Sequence, residues 1–239
     1  MSAVHFILQG KGGVGKSLVS SVIAQYYNSK SRDVLCIDTD PLNQTFFQYK
    51  KLNVEFINLI ENDDEINSRL FDGLVEKVAK HNDIAIIDNG ASSFIPLSFY
   101  MKESHLIEFL EGIGKEVYIH TIITGGQSLK DTCLGLAALL DSLKAKIIIW
   151  ENEFFGDIQN NGKLLSDFNI IKDNQDRIKG IIRIEQLTRD TFAKDFEYII
   201  AHKMTFEEAI EFEEFGLMPR HRLKMIRDNL FNQMNAIGL

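Results

Sequence analysis

Eight residues near the start of the chain, GKGGVGKS at 10–17, combine four glycines, two lysines and a serine. The spacing Gly10-x-x-x-x-Gly15-Lys16-Ser17 is that of a phosphate loop, and it lies between the apolar run VHFIL (4–8) and a helix-like run from Leu18 to Tyr27. Gly10, Gly12, Gly13 and Gly15 allow the backbone to turn successive N–H groups, that of Val14 among them, inward on an anion. The helix opening at Leu18 adds the positive end of its dipole. In such a loop Lys16 reaches the β- and γ-phosphates of a nucleotide, and the Ser17 hydroxyl binds magnesium. Lys11 is surplus to this spacing. Read by itself, a solvated surface lysine is the plain alternative to a functional cation there.

Two acidic motifs follow. CIDTDPLN (36–43) ends one apolar run with Asp38 and Asp40, and IIDNGASS (86–93) ends another with Asp88. A carboxylate at the end of a buried strand is costly unless something there uses its charge. Magnesium on nucleotide phosphates is such a use, because the ion keeps waters that carboxylates can hold. Any one of these aspartates alone also fits a helix N-cap or a turn. Three of them beside a phosphate loop point to a metal–nucleotide site. His5 and His120 fall inside strand patterns, no histidine has metal-ligand spacing, and both are read as structural.

The elements that must position these residues alternate in kind. Strand patterns occur at 4–8, 34–38, 54–58, 84–88, 117–123, 146–150 and 180–184, with helix-like segments near 17–29, 67–80, 98–113, 127–143 and 160–168. After residue 187 the pattern is helical only, near 188–202, 205–215 and 219–236. Such alternation predicts an α/β fold, a mostly parallel sheet with helices on both faces, and ligands bound beyond the carboxyl ends of the strands. The motifs fall at those ends. The stretches 61–66 and 151–163 lack strong periodicity, but neither is a low-complexity linker, so one domain over 1–239 is expected.

Composition narrows the classes. The 239 residues are 45% hydrophobic and 25% charged, values of an ordinary globular chain, and the formal charge of −8 gives no drive toward nucleic acid or anionic lipid. Two cysteines, Cys36 and Cys133, make neither a disulfide framework nor a zinc site and fit a reducing, cytoplasmic compartment. No leader pattern and no long apolar run is present, so secretion and membrane spanning are not expected.

GKGGVGKS, with a lysine directly after its first glycine, resembles the deviant Walker A loop of the ParA/MinD ATPases. The resemblance implies a P-loop NTPase fold, ATP and Mg2+ as cofactors, and an ATP-dependent homodimer in which Lys11 contacts the partner's phosphates. DTDP is similar to the family's second acidic motif, which makes Asp40 the residue that orients the attacking water and Asp38 a support for the magnesium shell. Asp88 resembles the Walker B aspartate, Gly90 the switch residue facing the γ-phosphate, and Asn152 an adenine-contacting asparagine. The chain departs from the family where Asn89-Gly90-Ala91 replaces the usual small residue and proline. No proline follows the 180–184 run either.

A closer likeness runs through LQGKGGVGKS, CIDTDPLNQTFFQYKKLNV, DEINSRLFDGLVE, IIDNGASSFIPLSFY and RLKMIRDNLFNQM. These blocks are similar to the TraL-like family of plasmid conjugation systems, which implies a protein partner in plasmid transfer or positioning. The expected activity is weak ATP hydrolysis by a nucleotide-dependent dimeric switch. A nucleotide-binding scaffold without significant hydrolysis and a small-molecule kinase are the alternatives. The kinase would need a lid of arginines, for which Arg220 to Arg227 is the one arginine-rich stretch. Nonspecific DNA binding through Arg220, Arg222, Lys224 and Arg227 is less favoured than a solvated helix face. Leu223, Ile226, Leu230, Met234 and Ile237 recur at helical spacing, and a helix packed onto the domain is favoured over one on a membrane.

Overall fold

In the computed structural model the described residues are 2–62, 65–66, 68–160 and 162–239. Seven strands build the main sheet: β1 (Ser2–Ile7), β2 (Val34–Asp38), β3 (Glu55–Phe56), β4 (Ile84–Asp88), β5 (Lys115–Thr124), β6 (Lys146–Asn152) and β7 (Ile178–Ile184). Their spatial order is β7-β6-β5-β1-β4-β2-β3, with every pair parallel. The helices are α1 (Lys16–Ser29), α2 (Ser68–Lys80), α3 (Phe94–Glu103), α4 (Leu106–Gly112), α5 (Leu129–Ser142), α6 (Asn169–Lys172), α7 (Lys194–Ala201), α8 (Phe206–Glu211) and α9 (Leu217–Ala236).

Alternation along each strand sorts the side chains onto two faces. On β4, Ile84 and Ile86 join the core under α1 and α7–α9, whereas Ala85 and Ile87 join the core under α2–α6. Both faces are thus apolar, as the near-continuous hydrophobic strands require. On α9, Leu223, Ile226, Leu230 and Met234 are buried and Ile237 packs beside them, so this amphipathic helix lies on the domain. No helix of the described residues is long and apolar enough to cross a membrane.

Some boundaries differ from the sequence patterns. The helix expected at 160–168 is replaced by a short ribbon, Gln159–Asn160 with Lys163–Leu164, a 3-10 turn at Leu165–Asp167 and then α6. Gly162 takes φ 76°, which suits a tight turn and not a helix. The pattern at 98–113 divides into α3 and α4 because His105 adopts a left-handed φ of 50°. Helix α3 also begins earlier, at Phe94, with Pro96 tolerated in its first turn. Only two residues of 54–58 pair as β3, and 188–202 opens with a π-helical turn at Arg189–Ala193. The helix at 205–215 shortens to α8, whose start is fixed by a capping box between Thr205 and Glu208. Residue 67, where a helix was expected to open, and residues 63 and 64 lie outside the described residues.

His5 on β1 and His120 on β5 sit in the core between neighbouring strands. Trp150 Nε1 donates to His120 Nδ1 at 2.9 Å, and His120 Nε2 lies 2.9 Å from His5 Nδ1. An indole N–H only donates, so His120 carries its proton on Nε2 and gives it to His5. Both rings are therefore neutral and belong to the packing.

Candidate functional site

The order β5-β1-β4-β2 brings three strand ends together. Ile7, Asp88 and Asp38 stand level, since Asp88 pairs with Ile7 on one side and with Asp38 on the other. Immediately beyond Ile7 the chain enters the glycine loop. Gly13 and Gly15 adopt φ of 74° and 102°, and Gly15 hands the chain to α1 at Lys16. A Cβ placed on Gly12 or Gly13 would meet no atom within 4 Å, so none of the described residues fills the space beside these two glycines. Gly10 is tighter: its Cβ would come to 3.0 Å of the Phe94 ring, which ties the loop to the start of α3.

Lys16 is buried, and its ammonium donates to the carbonyl of Lys11 at 3.1 Å, which folds its side chain back along the loop. Burial lowers its pKa, and the nearby carboxylates of Asp88 and Asp40 oppose that shift. Asp88 is buried as well. Desolvation and the neighbouring Asp38 push its carboxyl up, while hydrogen bonds from Ser17 and Ser20 hold it down. The Ser20 hydroxyl donates to Asp88 Oδ1 at 2.9 Å. Lys16, Ser17 and Asp88 thus converge, and their donor set of one hydroxyl and one carboxylate suits magnesium, which takes its other oxygens from phosphates and water.

Asp38 stands beside Asp88 at the end of β2. Its two oxygens accept the backbone N–H of Asp40 (2.8 Å) and of Phe47 (2.9 Å), so it shapes the loop after β2, and burial raises its pKa. Asp40 in turn accepts from the N–H groups of Leu42 and Asn43. It also lies against Gly90, where a Cβ would sit 2.9 Å from the Asp40 carboxyl carbon. Gly90 is therefore needed for close approach to Asp40.

Asn152, at the end of β6, donates to the carbonyl of Val14 at 3.0 Å and accepts from Phe154 N–H at 3.1 Å. Its amide thus braces the phosphate loop. Together with Gly13, Gly15, Leu18, Phe154 and Gln186 it also lines a cavity of about 640 Å³ beside the loop. Lys11 forms an ion pair within its own chain, 2.8 Å from Asp131 at the start of α5, with both side chains about half exposed.

Sequence reasoning missed several residues that organise this site. Ser20 lies one helical turn after Lys16, a spacing that places it on the same face. Asn89, seen only as a departure from a family pattern, is buried. Its amide donates toward the carbonyls of Ile7 and Ile87, and its oxygen accepts from Thr39. Asp131 and Phe94 carried no local signal. The basic stretch of α9 is engaged elsewhere: Arg220 donates to the Phe212 carbonyl, Arg222 pairs with Asp195, and Arg227 with Asp228.

Comparison with known proteins accords with this geometry. The family described as the CobQ/CobB/MinD/ParA nucleotide binding domain matches residues 5–219. Two Escherichia coli proteins, each called Protein TraL, are similar over essentially their whole length. One is 44% identical over 241 residues, covering 100% of both chains, and the other 42% over 236 residues, covering 98% of both. Among solved structures, the MinC:MinD cell division protein complex of Aquifex aeolicus superposes with a TM-score of 0.53 at 17% identity, covering 98% of this chain and 96% of that one. A putative plasmid partition protein of Borrelia burgdorferi B31 bound to AMPPNP superposes with a TM-score of 0.52 at 17% identity, covering 99% of each chain.

Proposed function

Because the chain belongs to the CobQ/CobB/MinD/ParA nucleotide-binding domain family, we propose that it is a single-domain, slowly hydrolysing ATPase that works as a nucleotide-dependent dimeric switch. Its setting is plasmid conjugal transfer or positioning in the cytoplasm, with a protein partner from that system. The observation that carries this reading is the convergence of Lys16, Ser17 and Asp88 at the glycine loop.

The loop's N–H groups and Lys16 hold the phosphates, Ser17 and Asp88 hold the magnesium with its waters, and Asp38 supports that shell from behind. Magnesium held by Ser17 and Asp88 would supply positive charge against the charge that develops on the phosphates during transfer. The base occupies the cavity beside Leu18 and Asn152. Asp40 orients the attacking water, while Gly90, pressed against Asp40, links the loops after β2 and β4. Lys11 leaves Asp131 and reaches the partner's phosphates. Support for a dimer on this face comes from exposed apolar residues on the adjoining helices: Ile95 is 75% exposed and Phe99 64% on α3, and Leu134 is 58% exposed on α5, one turn from Asp131. Ile95 and Phe99 lie one helical turn apart on α3, and neighbouring exposed apolar side chains of this kind suit an interaction site. With its arginines bound along α9, the chain has no free set there for a kinase lid.

The test is turnover against binding. Asp40→Ala is expected to lower phosphate release from ATP on the order of 100-fold, the scale for loss of a group that orients or deprotonates a nucleophile, with ATP affinity kept within about threefold, since Asp40 is not asked to hold phosphate. Unchanged turnover in the variant, or no turnover in the parent protein with Mg-ATP, would rule out the hydrolytic switch.

A further inference from the structure

The nucleoside cavity is walled by a chain of contacts that begins on the C-terminal helix. Strand β7 is the outer strand of the sheet on that side, and Gln233 of α9 stands at its edge. Gln233 Oε1 accepts the Arg183 N–H at 2.7 Å, and its Nε2 donates to the Arg183 carbonyl at 3.0 Å. One side chain thus clasps both backbone groups of Arg183. The Arg183 guanidinium donates through Nε to Glu151 Oε2 at 2.7 Å and lies 3.6 Å from Glu153 Oε1. The other Glu153 oxygen accepts the Gln186 N–H at 3.3 Å, and Gln186 lines the cavity. Between the two glutamates, Asn152 braces Val14 of the phosphate loop.

We infer that Arg183, clasped by Gln233 of α9, is a positioning residue for the nucleoside half of the site. The inference rests on the nucleotide reading above. Glu151 is almost fully buried, with its side chain 5% exposed, and a buried carboxylate needs a partner of opposite charge. Arg183 supplies it. The same guanidinium steadies Glu153, which holds the loop Glu185–Leu187 as a cavity wall. Removing the charge would free that wall and leave Glu151, Glu153 and Glu185 uncompensated beside a site for a polyanion. Lys16 makes none of these contacts, and the glycine loop meets them only through the Val14 carbonyl, whose bond to Asn152 does not involve Arg183, so the phosphate half keeps its own geometry.

That separation defines the experiment. ATP and inorganic tripolyphosphate, each with magnesium, are titrated calorimetrically into the full-length protein and into Arg183→Met, Arg183→Lys and Gln233→Ala. Arg183→Met is expected to weaken ATP about tenfold, the low end of the range seen when a residue that orients metal ligands is removed, with tripolyphosphate within about twofold. Arg183→Lys should recover most of the loss, and Gln233→Ala should reproduce its direction more weakly. Gln233→Ala keeps the test open if Arg183→Met does not fold. An unchanged ratio of ATP to tripolyphosphate affinity in these variants, or an equal loss for both ligands, would overturn the inference. A parent protein that binds tripolyphosphate but not ATP, or neither, would overturn the nucleotide reading and this inference with it.

Discussion

Lys16→Ala is expected to weaken Mg-ATP binding by at least about 100-fold, or about 2.8 kcal/mol at about 1.4 kcal/mol per decade. The ammonium of Lys16 lies within the loop, bonded to the Lys11 carbonyl and facing Asp88 and Asp40. With the lysine gone, phosphates entering the loop would meet carboxylates with no cation between them. Charge-assisted hydrogen bonds to phosphate are also the strong ones, and the backbone N–H groups cannot replace a full charge. The fold should survive, because Lys16 stands at the start of α1, whose hold on the sheet comes from the core residues Val19, Val22, Ile23 and Tyr26. Calorimetric titration with a parallel melting curve checks both statements, and equal ATP affinity in variant and parent would remove Lys16 from the site.

The second large effect is on stability in acid. Protonating His5 would place a hydrogen on Nδ1, directly facing the Nε2–H of His120 at 2.9 Å. Protonating His120 would set Nδ1–H against the indole N–H of Trp150. Burial lowers both pKa values, that of His5 to about 3 from 6.5, and the proximity of His5 lowers His120 further. The unfolded chain takes up these protons below pH 6.5 and the folded chain does not. The stability contributed by the two neutral histidines is therefore full above pH 6.5 and falls as the pH drops from there toward 3. Each histidine costs about 1.4 kcal/mol per pH unit, so two units remove about 5 kcal/mol, a large share of a typical domain's stability. Asp38 and Asp88, whose pKa values are raised, work in the opposite direction, so the histidines are isolated by comparison. His5→Gln keeps an acceptor for His120 but does not titrate. Urea unfolding of both proteins between pH 4.5 and 7 should give a smaller acid loss for His5→Gln, by about 1.4 kcal/mol per unit. Parallel profiles would contradict this.

What the sequence made legible was whatever repeats locally. The glycine loop, Asp38 and Asp88 stood out because apolar runs ending in functional residues are local patterns, and a parallel sheet collects all its strand ends on one side. Membership of the ParA/MinD family and the alternating strands and helices were readable for the same reason, and the seven-strand parallel sheet agrees. The ribbon of Gln159–Asn160 with Lys163–Leu164 and the break at His105 were missed because single residues in left-handed conformations override a helical period. The partners of Asn152 and Lys11 were hidden for another reason. Asn152 meets Val14 across 138 positions, and Lys11 meets Asp131 across 120. No periodicity encodes contacts at that range. Gly90 was noted for a family role, but the close approach of Asp40 that demands a glycine appears only once β2 and β4 lie side by side.

A nucleotide-dependent dimer depends most on Lys11. Its pair with Asp131 joins two half-exposed side chains, the kind of ion pair that contributes little. A contact with phosphate inside a closed dimer would be desolvated, and losing one partner of such a pair costs about 2–5 kcal/mol. ATP should therefore draw Lys11 away from Asp131 and across to a second copy. The measurement is analytical ultracentrifugation of the Asp40→Ala protein and of the same protein carrying Lys11→Ala, each with and without Mg-ATP at saturating concentration. The account predicts that the first shifts from monomer to dimer when ATP is added, and that the second binds ATP through Lys16 and the loop yet sediments as a monomer throughout. A Lys11→Ala protein that dimerises with ATP as fully as its parent would contradict it.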